Sequence, residues 1–340
     1  TTSRTEYRLG ALTEMPKTEM TVEQGLSLAS QYQSAGRLSE AEQVYRGILQ
    51  ADATQPVALH RLGILAHMAG QSDVAINLIE TALANAPDYF GAHNNLGNLF
   101  KDLGKMEQAI ASYSKAVAIK PDYFEAHGNI GVSLRNLGRL DESVASFRKA
   151  VAIKPDFADA HCNLGNVLVD IGELDEAISC YREALNIQPD FTEVHCNLGN
   201  ALKNQGKTEE AIASYQMALS LKPNYADAHN NLGTALQKLG KPGEAVASYG
   251  MAISIQPDFA DAHSNLGNAL LALRMLEEAV ASYRRALEIN PDLSEASGSL
   301  GSALLALGKI EEGLEMEEKG FGVISFDTAQ GVSINDGSTK

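Results

Sequence analysis

Apolar positions along most of the chain follow the 3.6-residue period of an α-helix. Within residues 92–100, apolar side chains fall at i, i+4, i+7 and i+8, which places them on one face of a helix. Gly104 follows this run, and glycine is a common residue where a helix ends. A second periodic run covers residues 109–119 and stops before Pro121, a residue that cannot continue a helix. The pattern therefore predicts two helices joined by a short turn.

The same pattern returns every 34 residues, and a Leu-Gly pair or a close variant marks each copy. The pairs are Leu28-Ala29, Leu62-Gly63, Leu96-Gly97, Ile130-Gly131, Leu164-Gly165, Leu198-Gly199, Leu232-Gly233, Leu266-Gly267 and Leu300-Gly301. Prolines close most of the copies, at Pro87, Pro121, Pro155, Pro189, Pro223, Pro257 and Pro291. One helical hairpin leaves apolar surface uncovered, so the sequence predicts that about nine hairpins stack on one another.

This pattern resembles the tetratricopeptide repeat (TPR) family over residues 22–318. The resemblance implies an all-α fold, a TPR α-α superhelical solenoid of about nine 34-residue helical hairpins. We expect an N-terminal arm at 1–20, the repeat array at 21–319, and at 320–340 a β-prone tail or the start of a further domain. The repeats are expected to begin near residues 22, 56, 90, 124, 158, 192, 226, 260 and 294.

Small and large residues occupy the positions where the two helices of one hairpin meet. In the third hairpin, we expect Gly97 and Ala109 to let the two backbones approach closely. Leu103 and Tyr113 are expected to fill the space beside these small residues. A hairpin of the same design is predicted for each repeat.

The two ends of the array carry their own signals. Thr21 and Gln24 have the spacing of a capping box, which predicts that a helix begins after Thr21. In the last repeat, the polar run Lys309–Lys319 predicts a second helix that faces solvent. Beyond it, residues 321–326 and 331–334 are rich in β-prone side chains and predict a pair of strands.

Composition and charge limit the classes of partner and the cellular location that fit this chain. Lys and Arg total 27 and Asp and Glu total 43, so the formal charge of 27 − 43 = −16 disfavours nucleic acid and anionic membranes as partners. No apolar run approaches the length of a membrane span. Three cysteines form no disulfide framework, which favours a reduced, cytoplasmic location. The absence of an initiator Met and of an apolar signal segment indicates a processed or truncated N-terminus.

Asparagine is the most suggestive candidate for chemistry, because it recurs just before the Leu-Gly pair. We call the six residues at this position the asparagine ladder: Asn95, Asn129, Asn163, Asn197, Asn231 and Asn265. An incomplete second column follows three residues later, at Asn98, Asn166, Asn200 and Asn268. Three bases lie further along the same helices, at Lys101, Arg135 and Lys203, and could hold an acidic part of a ligand.

The ladder has two readings. An amide offers a donor and an acceptor, as a peptide bond does, so rungs on the concave face would grip the main chain of an extended polypeptide. Helices about 10 Å apart would place one rung at every third ligand residue. The units also resemble the TPR region of the protein O-GlcNAc transferases, which read Ala-His-x-Asn-Leu as well. The alternative is that asparagine is ordinary repeat consensus and satisfies neighbouring backbone groups.

Histidine forms a further column, and two cysteines share its period. The histidines are His93, His127, His161, His195, His229 and His263. One histidine per repeat lies too far from the next to share a metal ion, so we expect packing histidines at the seam between hairpins. Cys162 and Cys196 are one repeat apart, beyond the reach of a disulfide, and Cys180 lies on a different helix, so structural thiols are predicted.

The sequence contains no phosphate-binding loop, zinc-protease helix or catalytic triad order, so we expect no cofactor, no metal and no catalysis within this chain. Three functions stay open. The first is a scaffold that binds a protein or peptide in extended conformation. The second is the substrate-recruiting arm of a larger enzyme such as a glycosyltransferase. The third is self-association through residues 321–340 or 1–20.

Overall fold

The computed structural model describes residues 20–321 and the two strands 323–327 and 331–335. The helices are α1 (Val22–Ser34), α2 (Leu38–Ala51), α3 (Pro56–Met68), α4 (Ser72–Asn85), α5 (Phe90–Asp102), α6 (Met106–Ile119), α7 (Phe124–Asn136), α8 (Leu140–Ile153), α9 (Ala158–Asp170), α10 (Leu174–Ile187), α11 (Thr192–Asn204), α12 (Thr208–Leu221), α13 (Ala226–Lys238), α14 (Pro242–Ile255), α15 (Ala260–Ala272), α16 (Leu276–Ile289), α17 (Ser294–Ala306) and α18 (Ile310–Phe321). The all-α fold predicted from the 34-residue period is confirmed.

The chain divides into two compact units, residues 1–167 and 168–340, and each is described by itself. Within each unit, the first helix of a repeat packs against the second helix of the same repeat, as α5 does against α6 and α11 against α12. The second helix then packs against the first helix of the next repeat, as α6 does against α7 and α12 against α13. Each hairpin thus covers the apolar face that its neighbour leaves open.

The first helices of consecutive repeats also contact one another. In the first unit, α3 contacts α5 and α5 contacts α7; in the second unit, α11, α13, α15 and α17 form the same series. We call the surface formed by these helices in each unit the first-helix face. Residues that recur at one position of the repeat therefore lie in a row along this face.

The two helices of a hairpin approach closely because a glycine faces an aromatic ring. A Cβ atom at Gly97 would lie 2.5 Å from Cε1 of Tyr113, which is fully buried. Ala109 is fully buried beside them, as predicted. The prediction for Leu103 is wrong: its side chain is 39% exposed. α5 ends at Asp102 and Leu103 is its C-cap, so Leu103 lies past the last turn of the interface.

Short connections between hairpins are covered by aromatic rings and lysines in the first unit. Phe90 and Tyr123 meet edge to face at 5.1 Å between ring centroids, and Lys120 Nζ lies 4.9 Å from the Phe90 centroid. One repeat later, Phe124 meets Phe157 at the same distance, with Lys154 over both rings. A cation over an aromatic face is attracted to it, which stabilises the edge between repeats.

The ends of the array differ from each other. Thr21 caps α1, since its Oγ1 accepts from the Gln24 N–H while the Gln24 side chain accepts from the Thr21 N–H, which confirms the predicted capping box. At the other end, α18 faces solvent as expected, and its exposed residues include the apolar Ile310 and Leu314, at 62% and 55% exposure. The strands β1 (Val323–Asp327) and β2 (Gly331–Asn335) pair antiparallel with Ser325 opposite Ser333, as the β-prone tail predicted.

A residue with a left-handed backbone follows the first helix of each described repeat, and in the eighth repeat that residue is not glycine. Eight glycines at this position have φ between 72° and 85°, whereas the eighth repeat has Arg274 with φ 64°. This region is sterically unfavourable for a residue with a Cβ, so each turn is suited to glycine. The sequence shows this departure directly, because the 34-residue period places Arg274 in register with Gly240 and Gly308.

Substituting Arg274→Gly is expected to raise the free energy of unfolding by about 1 kcal/mol. The left-handed conformation costs an L-residue about 1–2 kcal/mol, and glycine removes this cost. Part of the resulting stabilisation is lost, because glycine has greater conformational freedom in the unfolded chain. Urea unfolding followed by circular dichroism measures the change. The converse substitution Gly240→Arg should lower stability by a similar amount, and equal stabilities for all three proteins would contradict the explanation.

Candidate peptide-binding site

The asparagine ladder lies on the first helices, on residues that are half-buried. Asn95 belongs to α5, Asn129 to α7 and Asn163 to α9; Asn197, Asn231 and Asn265 belong to α11, α13 and α15. In each case the side chain retains partial access to solvent. Half-buried amides on adjacent helices can bind a ligand only with the atoms that the scaffold leaves open.

The scaffold uses one amide atom of several rungs. Asn129 Nδ2 donates to Asn94 Oδ1 at 3.1 Å, and Asn265 Nδ2 donates to Asn230 Oδ1 at 3.0 Å. Asn95 Nδ2 lies 2.9 Å from His60 Nε2. Each partner is the residue 35 positions earlier, on the first helix of the preceding repeat. We call this the partner position.

His60, in the partner position for Asn95, has a strongly lowered pKa. Its side chain is 2% exposed, and burial lowers its pKa to about 4, with a smaller contribution from the Arg61 charge. The imidazole is therefore neutral near pH 7. Its Nε2 accepts from Asn95, and its Nδ1 lies 2.9 Å from the Tyr89 hydroxyl, so the proton of the neutral ring sits on Nδ1.

Cys196 occupies the partner position for Asn231. Burial raises the pKa of the Cys196 thiol, while hydrogen bonds from Tyr225 and Asn231 act in the opposite direction. The thiol is thus held in its neutral form and serves Asn231 as a weak hydrogen-bond partner. All three cysteines are buried and none of them forms a disulfide, which agrees with the prediction of structural thiols.

The second asparagine column has a role inside the hairpin. The hydroxyls of Tyr113, Tyr215 and Tyr283 donate to Oδ1 of Asn98, Asn200 and Asn268, at 2.8, 2.8 and 2.7 Å. The fourth member, Asn166, has its Nδ2 3.8 Å from Cys162 Sγ. Where the second helix has Phe147 or Ile79 in place of tyrosine, the first helix has the apolar Val132 or Ile64. In the seventh repeat the Tyr249 hydroxyl donates instead to Thr234 Oγ1, at 3.3 Å. Oδ1 of Asn98, Asn200 and Asn268 is therefore used inside the hairpin, and Asn98 Nδ2 lies 3.5 Å from Asn95 Oδ1.

The three predicted bases lie on three separate first helices, two in the first unit and one in the second. Lys101 is on α5, Arg135 on α7 and Lys203 on α11, and all three are half-buried. Burial lowers the pKa of Lys203, and the nearby positive charge of Lys238 lowers it further, against the effect of Cys196. An anionic ligand group beside Lys203 would relieve both effects.

The histidine column ties hairpins together. In all six residues, Nε2 lies 2.8–3.1 Å from the carbonyl oxygen of the proline six positions earlier, in the connection from the preceding repeat. A carbonyl only accepts, so Nε2 carries the proton and donates. The predicted packing role at the seam is confirmed. In the part of the chain that the structure describes, no group of three or more His, Cys, Asp or Glu side chains is arranged to hold a metal ion.

A surface cavity of about 420 Å³ lies away from the ladder. Its lining includes Asp175, Ile178 and Arg182 of α10 together with Lys207, and it contains no ladder residue. Arg182 of this lining pairs with Glu210 at 3.1 Å. We therefore place the candidate site on the first-helix face and not in this cavity.

Comparison with known families decides the classification. Residues 97–136, 131–172, 165–206, 200–240 and 238–273 match the family described as "TPR repeat", and residues 260–293 match "Tetratricopeptide repeat". Together these matches extend from residue 97 to residue 293, more than half of the 340 residues. The chain belongs to the tetratricopeptide repeat family. The specific likeness to the TPR region of O-GlcNAc transferases stays a prediction.

Several solved structures resemble this TPR chain. The chain is 27% identical to MamA over 50% of its own length and 92% of that chain, with a TM-score of 0.47. It is 25% identical to YrrB, "a TPR protein with an unusual peptide-binding site", over 54% of this chain and 95% of that one, with a TM-score of 0.49. The match to the APC/C hetero-tetramer Cut9–Hcn1 covers 78% of this chain and 52% of the matched chain, at 18% identity. Its TM-score of 0.55 shows a shared fold.

No curated protein sequence matches this TPR chain at a significant level. None of the helices among residues 20–321 has the length and apolar character needed to cross a membrane. The arms proposed for self-association, 1–20 and 321–340, fall almost wholly outside the residues whose side chains the structure describes. The interactions of those two segments therefore stay predictions.

Sequence reasoning missed the partner position of this TPR array. Its members differ in type, His60, Asn94, Cys196 and Asn230 among them, so no uniform column draws attention to them. The signal that could have found them is geometric. Adjacent first helices contact each other, so a residue next to the ladder position in one repeat must meet the ladder residue of the following repeat.

Proposed function

We propose that this TPR scaffold binds an extended polypeptide segment along the first-helix face, with ladder carboxamides bonded to the main chain of the ligand. The segment would belong to a protein partner and would be recognised mainly through its backbone. Side chains of the ligand would add specificity where they meet Lys101, Arg135 or Lys203.

The observation that supports the proposal is which amide atoms of Asn129 and Asn265 are already hydrogen-bonded. Each has its Nδ2 bonded to a partner in the preceding repeat, and its Oδ1 has no hydrogen-bond donor among the described residues. The bond to Nδ2 fixes the orientation of the side chain. The half-buried Oδ1 is therefore a preorganised acceptor, and a backbone N–H of a ligand is the complementary donor.

The spacing of the acceptors suits an extended chain. Packed helices lie about 8–10 Å apart, and an extended chain advances about 3.3 Å per residue. One rung per repeat then meets about every third ligand residue. Each hydrogen bond contributes about 0.5–1.5 kcal/mol net, so several rungs are needed for appreciable affinity.

A double substitution tests the ladder. A library of random twelve-residue peptides is screened against the full chain, and the tightest peptide becomes the probe. Asn129→Ala with Asn265→Ala removes one acceptor from each unit. For a peptide bound to either unit, we expect the dissociation constant measured by fluorescence anisotropy to rise roughly tenfold, about 1.4 kcal/mol. N-methylation of the probe at every third residue should weaken binding comparably.

The matched control is Asn94→Ala with Asn230→Ala. It breaks the same two hydrogen bonds between helices and leaves the ladder side chains in place. We expect a loss of about threefold or less, from reduced preorganisation alone. Equal losses in both double variants, or a library from which no peptide is retained, would overturn the proposed function.

A further inference from the structure

The partner position follows one rule in three of the repeats. His60, Asn94 and Asn230 each have a side-chain acceptor, and each accepts from the ladder residue 35 positions later. The acceptor differs in chemistry, an imidazole nitrogen or an amide oxygen, but the offset does not change. The scaffold thus occupies Nδ2 of a rung when the partner residue can accept.

Gly128 is the partner position for Asn163, and it has no side chain. The two residues are 35 positions apart, and both belong to the first compact unit. In agreement with the rule, the Asn163 side chain makes no hydrogen bond to any residue that the structure describes. Asn163 is half-buried like the other rungs, so the amide still reaches solvent. Asn163 therefore has both of its amide atoms open.

Packing does not require a glycine at position 128. A Cβ atom there would have Phe157 Cε1 as its nearest neighbour, at 3.9 Å, an ordinary contact distance. At Gly131, one turn later on the same helix, a Cβ would lie 2.7 Å from the Phe147 ring. Glycine inside a helix is destabilising relative to alanine. Gly128 thus weakens α7, although packing does not require glycine there. The consequence of its missing side chain is that Asn163 lacks a hydrogen-bond acceptor in the preceding repeat.

We infer that Asn163 is the anchor of the ladder, by which we mean the rung that binds a ligand peptide group through both amide atoms. Both atoms are available because Gly128, at the partner position, has no side-chain acceptor. This inference rests on the proposed function. Oδ1 accepts a backbone N–H, as at the other rungs, and Nδ2 is free to donate to a backbone carbonyl. The ligand class is again an extended polypeptide, bound with one of its peptide groups at Asn163.

The test gives Asn163 the partner that it lacks. Gly128→Asn supplies an amide oxygen at the position that Asn94 fills for Asn129. We expect the library-selected peptide to bind this variant about tenfold more weakly, because its carbonyl must then compete with the new acceptor. Gly128→Ala is the matched control, since it adds a Cβ without an acceptor, and its affinity is expected to equal that of the parent chain.

A second measurement covers the case in which Gly128→Asn folds poorly. Asn163→Ala should weaken binding about tenfold more than Asn129→Ala, because it removes two ligand bonds where Asn129→Ala removes one. In the Gly128→Asn background, Asn163→Ala should cause little additional loss. Circular dichroism of each variant establishes that the helices are intact.

The outcomes separate this inference from the proposed function. If the double variant of Asn129 and Asn265 loses affinity while Gly128→Asn binds as tightly as Gly128→Ala, the ladder stands and the anchor role of Asn163 is overturned. Equal losses for Asn163→Ala and Asn129→Ala also overturn the anchor role. If the double variant of the ladder loses no affinity relative to its control, the proposed function fails and the inference fails with it.

Discussion

Replacing Gly131 with alanine is expected to lower the free energy of unfolding by about 3 kcal/mol. The added Cβ would lie 2.7–2.8 Å from three carbons of the Phe147 ring, closer than carbon atoms pack. Phe147 is 1% exposed and lies in the interface of its hairpin, so the ring has little room to move aside. Overpacking of this kind generally costs about 1–3 kcal/mol, and a rigid ring places this site at the upper end. Urea unfolding followed by circular dichroism measures the loss.

The control is on the same helix. Gly128→Ala meets nothing closer than 3.9 Å and should raise stability by about 0.5–1 kcal/mol, because alanine favours the helix over glycine. A second substitution, Phe147→Leu, removes the ring and should restore part of the stability that Gly131→Ala loses. If the two glycine substitutions change stability alike, close approach of the helices at Gly131 is not what this position requires.

Tyr215→Ala is expected to destabilise the second unit by about 3–5 kcal/mol. The side chain is fully buried against Gly199, where it fills the space between α11 and α12. Truncating a buried aromatic residue removes its apolar contacts and leaves a cavity. Tyr215→Phe keeps the ring and removes only the hydroxyl that donates to Asn200, so its cost should be about 1 kcal/mol. Thermal unfolding of both variants separates the two contributions.

A paired substitution tests the link between the columns. Tyr215→Phe leaves the Asn200 oxygen without its donor, and adding Asn200→Val recreates the combination that the fourth repeat has as Phe147 and Val132. We expect the double variant to be at least as stable as Tyr215→Phe alone. If Asn200→Val lowers stability by the same amount in the parent chain and in the Tyr215→Phe variant, the hydrogen bond does not explain the column.

Most of the fold could be predicted from the sequence because the repeat imposes one solution on every copy. The 34-residue period fixed where glycine ends a helix and where Tyr113 meets Gly97, since both depend on contacts within one hairpin. The packing prediction failed at a residue that lies just beyond the contacts within one hairpin. Leu103 is the C-cap residue of α5 and is 39% exposed.

The candidate site was predictable as a column of residues but not as a set of available atoms. Which amide atom of Asn129 is open depends on Asn94, which lies one repeat earlier and belongs to no regular column. The second column looked like a continuation of the ladder, yet Asn98, Asn200 and Asn268 serve tyrosines on the second helices. Such assignments need the pairing between helices, which periodicity alone does not supply.

The histidine-to-proline bonds also bear on how the array responds to acid. Nε2 donates to the proline carbonyl, and both the neutral tautomer with its proton on Nε2 and the charged ring can make this bond. His60 is different, because its Nε2 must accept from Asn95 and loses that ability when protonated. Acidification should therefore loosen the scaffold first around the second repeat, while the joints that set one hairpin against the next keep their geometry.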